Sequence, residues 1–218
     1  MGTTLLNTAI KDTYQGVIKT SNNTVVSGTA KYLSDGLGND SAISISTTAV
    51  GVGTVTPTKT LDVVGEIRTS QGILFGTDTA AGNRLDDYEE NAFTPAIIGT
   101  TLDGSVTYST VNGNYTKIGR VVHFEIFIAW SAGTGTGDIR IAGLPFAIYN
   151  PASTYTYPAF TIADANVSLS ASTILAAEGQ PGTTEIALVE IPVGGGARAS
   201  VAYDAAGSIV ISGTYFTA

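Results

Sequence analysis

The chain has 218 residues, with 10 Lys and Arg against 18 Asp and Glu, a net charge of −8, one His and no Cys. So acidic a chain without a Lys/Arg cluster is a poor partner for nucleic acid. The missing cysteines exclude a disulfide framework, a thiolate zinc site and a cysteine nucleophile, and a single imidazole excludes any site that needs two. Hydrophobic residues make up 43% but aromatics only 8%, with 26 Gly, so Ala, Val and Ile dominate, diluted by Gly, Thr and Ser. That mixture favours short strands and tight turns over long helices.

In chain order, residues 1–40 come first. Their start, MGTTLLNTAIKD, lacks the basic n-region and continuous apolar stretch of a signal peptide, so synthesis in the cytoplasm without export is expected. No run of about 18 apolar residues follows anywhere, so no membrane insertion is expected. Leu6, Ile10, Tyr14 and Val17 recur at helical spacing, yet Thr3, Thr4, Thr8 and Thr13 favour strand and Gly16 stops a helix early. The segment reads as a short helix or an extended arm. Asp35-Gly36-Leu37-Gly38-Asn39-Asp40 has one turn's worth of a calcium-binding nonapeptide pattern, but such sites need stacked copies, so an Asp-Gly turn is the reading taken.

Residues 41–78 hold short apolar runs broken by Gly and Thr-Pro: Ala42 to Ser46, Val50 to Gly53, Leu61 to Arg68 and Ile73 to Phe75. Short strands in one copy cannot cover an apolar face or pair their edges. The expectation is an intertwined shaft in which three identical chains supply one another's missing strands. Residues 79–92 are the most acidic stretch and read, with the shaft, as a linker: 41–92 is the shaft with its acidic linker.

Residues 93–218 carry strand candidates at the spacing of a β-sandwich or jelly roll: 93–98, 105–110, 114–118, 120–130, 138–142, 145–149, 157–163, 166–170, 172–177, 184–191, 198–203 and 208–216. In the strongest, Val122, Phe124, Ile126, Ile128 and Trp130 share one face and should be core, with His123, Glu125 and Phe127 opposite. Ala199 to Tyr203 and Ser208 to Tyr215 read as a closing hairpin around Asp204-Ala205-Ala206-Gly207. The expected class is all-β, with a trimeric shaft and a C-terminal antiparallel sandwich.

Two stretches resemble elements of a known family. Val50-Gly51-Val52-Gly53-Thr54 through Thr56-Pro57 to Leu61-Asp62-Val63-Val64-Gly65-Glu66-Ile67-Arg68 resembles a shaft element of trimeric bacteriophage fibre proteins. Leu85-Asp86-Asp87-Tyr88-Glu89-Glu90-Asn91-Ala92-Phe93-Thr94-Pro95 resembles the element that opens the distal β-domain of such fibres. It is followed, as there, by Tyr115-Thr116-Lys117-Ile118-Gly119-Arg120 and by Gly143-Leu144-Pro145-Phe146. The chain departs at Asn91-Ala92-Phe93, where Gly-Thr-Trp is usual, and Phe can fill a Trp pocket. The resemblance covers residues 50–149. It implies a homotrimeric virion fibre, fixed to a capsid or tail protein by an N-terminal attachment segment and ending in a distal knob.

Candidate sites follow. The docking residues are Leu5, Leu6, Ile10, Tyr14, Val17 and Ile18, apolar yet in a stretch too short and Gly-broken for a core of its own. Tyr149, Asn150, Tyr155 and Tyr157, with Phe160, lie in a Pro-broken segment and offer the aromatic faces and amides of a glycan contact, against packing as the alternative. Asp86, Asp87, Glu89 and Glu90 are four carboxylates in five residues, which repel one another and do not form the two-sided cleft a glycosidase needs. His123 has no nucleophile-elbow G-x-S-x-G motif to serve, and reads as structural, paired with Glu125. Gly194-Gly195-Gly196 lacks the Lys-Ser/Thr of a phosphate loop and reads as a hairpin tip. No catalytic residue, metal or cofactor is expected. The function expected is a non-enzymatic fibre on the virion surface, a capsid (head) fibre over a short tail fibre because the chain is compact, touching host glycans through its knob. The alternative is a carbohydrate-binding module of a secreted bacterial protein.

Overall fold

The computed structural model describes residues 14–77, 79–80, 83–85, 87–151 and 157–218. The fold is all-β, as expected, with a 3₁₀ turn at Tyr14–Gly16 and no α-helix among the described residues. The chain divides into two compact units, Met1–Ser70 and Gln71–Ala218.

The first unit holds one five-stranded sheet in sequential order: β1 (Lys19–Thr20), β2 (Lys31–Ser34), β3 (Asp40–Ile45), β4 (Val50–Val52) and β5 (Leu61–Val63). Within residues 1–40, read as the attachment segment, Lys19–Thr20 and Lys31–Ser34 are strands of this sheet. One expectation is corrected here. The short strands, expected to lack partners within one chain, pair with each other; even β5 lies parallel to β4, a return that needs few residues because each strand is three residues long. What the sheet lacks is cover. Among the described residues of the unit Ala30, just before β2, is the one buried hydrophobic residue; in the strands Ile43, Val50 and Leu61 are exposed, and outside them Val25, Leu37, Val64 and Ile67 are each more than 60% exposed.

The shaft-like motif is explained by local packing. Gly51 lies so close to Thr54 that a Cβ would sit 2.5 Å from its carbonyl oxygen, and Gly53 has φ +73° with Val64 O at 2.9 Å from the same position. Ser44, fully buried, donates to Thr54 O at 2.7 Å. Asp62 accepts from Thr58 N at 2.8 Å and Thr58 Oγ1 at 3.0 Å, and these bonds hold its carboxyl below the usual range.

The second unit is built on β6 (Tyr88–Phe93), β7 (Ala96–Gly99), β8 (Thr107–Ile118), β9 (Val121–Ser131), β10 (Ile139–Ala142), β11 (Ala159–Ala165), β12 (Thr173–Gly179), β13 (Ile186–Pro192), β14 (Ala199–Ser200) and β15 (Gly207–Phe216). Their order is β6-β8-β9-β15-β11-β12-β13-β10-β7, with β14 on β13. The sheet folds over on β11, whose first two residues pair with β12 and whose last five pair with β15. Strands β9 and β15 therefore share one core with β10 and β13: Val122, Phe124, Ile126, Ile128 and Trp130 with Ile139, Ile141, Ile186, Leu188, Ile209, Ile211 and Tyr215. The alternation read in β9 is the alternation observed, with the five inward residues at most 3% exposed and Phe127 42% exposed.

Four differences have physical causes. Residues 88–92, assigned to the linker, form edge strand β6 on β8. Residues 105–110 and 114–118 are one strand, because Gly113 lets the Phe93 ring lie against the ladder, 2.9 Å from where a Cβ would be. Residues 145–149 and 166–170 form no strand. Ile148 N and Tyr149 N each donate to a different segment, at Thr183 O and Phe216 O, while Ser168 N and Ser170 N are taken by the carboxylates of Asp204 and Glu190. The closing hairpin does not form: β15 runs ten residues along β9, from Gly207 opposite Trp130 to Phe216 opposite Val121, and β14 joins β13 instead.

Candidate ligand-binding groove

The motifs of the second unit converge on one structural cluster. Tyr115 packs edge-on against Phe146 at 5.4 Å and tilted against Phe93 at 6.3 Å. Lys117, 6% exposed, pairs with Asp87 and lies 5.2 Å from the Phe146 ring centre. Gly119 N donates to Asp87 O, and Gly143, with φ +91°, abuts Thr94 O. Each described acidic residue of the motif has a structural partner: Tyr115 donates to Glu89 at 3.1 Å and Tyr88 to Glu90 at 3.0 Å. Burial and that bond to Glu89 raise the Tyr115 pKa. Charges along β6 also suit an edge strand, where they oppose pairing with another sheet. Asp86 lies outside the described residues.

His123 is on the outer face, its Nδ1 3.2 Å from Thr214 Oγ1; its bonded partner is Thr214, not the expected Glu125. The Asp35 carboxylate is taken by Leu37 N, Asn39 N and Asn39 Nδ2 at 2.7–2.9 Å, which is the Asp-Gly turn expected. Among the described residues no cluster of His, Asp and Glu is arranged to hold a metal.

A groove of about 350 Å³ opens where β11 leaves β15. Beyond Ser212, the end of β15 has β9 on one side and no β11 on the other. Ile148, Tyr149 and Pro151 run along that free edge, tied by Tyr149 N donating to Phe216 O at 2.7 Å. Pro158, Thr214, Tyr215 and Phe216 complete the lining. The corner depends on Gly213, where a Cβ would meet Phe160 Cδ1 at 2.3 Å. Tyr215 is buried beneath it and donates to Phe146 O at 2.9 Å; burial pushes its pKa up to about 12.

The expected glycan residues are separated by this geometry. Tyr149 lines the groove. Asn150 is exposed beside Gly182 and is not in the lining. Tyr157 lies instead under the Arg198 guanidinium, at 5.4 Å, where Arg198 pairs with Glu178 across β13. Tyr155 lies outside the described residues, and Phe160 is core. Of the expected docking residues, Leu5, Leu6 and Ile10 lie outside the described residues, the backbone of Tyr14 opens the 3₁₀ turn, and Val17 and Ile18 are 37% and 74% exposed.

Sequence reasoning missed Phe216, half-exposed in the groove, and Arg120, whose guanidinium lies over the Tyr149 ring at 4.5 Å and whose Nε donates to Thr217 O at 3.0 Å. The one available signal was Gly119-Arg120, a turn between two long alternating strands, which projects its side chain from the sheet end.

No family model matches the chain, and no curated protein matches it. Among solved structures, the chain is similar to the Dettilon tailspike protein (gp208), at 18% identity and a TM-score of 0.42 over 59% of this chain. The match spans 24% of the tailspike's length.

Proposed function

We propose that the protein is a structural, non-enzymatic fibre of a bacteriophage virion. It assembles as a homotrimer, is held to a capsid or tail protein by its N-terminal segment, and presents the second unit as a distal knob that adheres to glycans. A capsid fibre is favoured over a short tail fibre. The observation that carries the reading is the first unit, whose strand backbones are paired while apolar side chains of its strands and loops stay exposed. Burying a Leu, Ile or Val side chain contributes about 1.5–3 kcal/mol. Copies of the same chain packing these faces together supply that burial, and an elongated assembly is what a fibre requires. The ordered shaft and knob motifs in residues 50–149 give the reading its virion setting.

The second reading, a carbohydrate-binding module, is favoured by the complete core of the second unit and by its groove; it has no use for the uncovered first sheet. The test is assembly. Deleting residues 1–18, which spares β1, should leave a soluble trimer that no longer joins virions. Incorporation at normal copy number would place docking elsewhere and contradict the polarity proposed.

A further inference from the structure

We infer that the groove beside β15 binds a pyranose carrying a negative charge, with Arg120 as the residue that selects the charge. The inference rests on the adhesive reading of the second unit and names its ligand class. Three observations carry it.

First, the groove has the shape and surface for a sugar ring. Tyr149, Phe216, Pro151 and Pro158 present flat carbon faces, which stack on the C–H face of a pyranose, and Thr214 supplies a hydroxyl. None of the lining residues is acidic.

Second, a cation stands at the rim in a fixed pose. The Arg120 guanidinium is held by its Nε bond to Thr217 O and by stacking on the Tyr149 ring, and Thr217 N in turn donates to Arg120 O at 2.9 Å. A guanidinium oriented before binding loses little freedom on pairing with an oxyanion.

Third, that cation is unpaired. Lys117, Arg140 and Arg198 are matched with Asp87, Glu185 and Glu178. Among the described residues Arg120 has no carboxylate partner, and its Nη groups make no hydrogen bond to protein, although the chain as a whole is acidic, at −8. The charge complement missing at the groove is an anion, and the carbon faces beside it require that the anion be borne on a ring.

The test uses the full-length protein and three probes, glucuronic acid, glucose 6-phosphate and glucose, followed by saturation-transfer NMR. The anionic sugars should bind at least about tenfold more tightly than glucose, the worth of one charge-assisted hydrogen bond. Arg120→Gln should bring them down to glucose, Arg120→Lys should keep the preference, and Phe216→Ala should weaken all three alike. In the unaltered protein, raising salt from about 0.05 M to about 0.5 M should erode the preference, which tests the charge without any substitution. Stronger binding of glucuronic acid points to uronate-bearing chains, and of the phosphate to phosphorylated ones. Equal binding of the three sugars, or a preference that survives Arg120→Gln, overturns the inference. Loss of oligomer mass in Phe216→Ala with no sugar bound also overturns it, and makes the groove an interface between copies. None of the sugar-binding results bears on whether the protein trimerises or joins virions.

Discussion

The two sheets of this chain satisfy their backbones equally well and their side chains very differently. In the first unit, strands of two to six residues pair in simple sequence order, and Ile43, Val50 and Leu61 are exposed on them, as are Val64 and Ile67 beyond β5. In the second, strands of up to twelve residues fold across β11 so that Phe124, Ile128, Ile186 and Ile211 are sealed from both sides. Backbone pairing and side-chain cover are thus separate requirements. A flat ladder meets the first, and only a second layer meets the second. The second unit carries its own second layer, and the first needs one from elsewhere.

The largest effect should come from separating them. Residues 71–218 should melt cooperatively alone, whereas residues 14–70 should give no cooperative melt as a monomer. A sharp monomeric transition in the smaller fragment would break the contrast. Within residues 71–218, Phe124→Ala should cost about 3–5 kcal/mol in denaturant unfolding, as for a buried aromatic, and Phe127→Ala less than about 1 kcal/mol, as for surface sites. Reversed costs would mean that the outer face of β9 is the protected one. Gly213→Ala should cost about 1–3 kcal/mol by driving a methyl into the Phe160 ring; unchanged stability would show that the β11 corner yields.

The smallest effect is one of pH. A tyrosine near 10 when unfolded and raised to about 12 in the fold contributes stability that is complete below pH 10 and is lost as pH climbs toward 12. Tyr215→Phe should therefore flatten part of the fall in melting temperature between pH 10 and 12. An unaltered pH slope would mean that Tyr215 keeps an ordinary pKa.

The inward face of β9 was legible in the sequence because its period of two persists without a break from Val121 to Trp130. The all-β class was legible from Gly, Thr and Val content. The pairing was not: β15 inserts between β9 and β11, and no local pattern says which distant ladder a strand joins. The groove was half legible for the same reason. Tyr149 announced itself among neighbouring aromatics, while Arg120 meets the chain end only through that ladder, across 97 residues. The motif carboxylates read as part of an acidic linker, whereas Asp87 and Glu89 hold Lys117 and Tyr115, contacts set by the register of β6 on β8.

The central claim, that copies of this chain cover the first unit, is tested most directly by the mass of the full-length protein in solution. Light scattering at micromolar concentration should give three copies of the 22.3 kDa chain, unchanged on tenfold dilution. A single-chain mass, with backbone amides of β3 and β4 still protected from exchange, would show that the first sheet stands alone and would contradict the account.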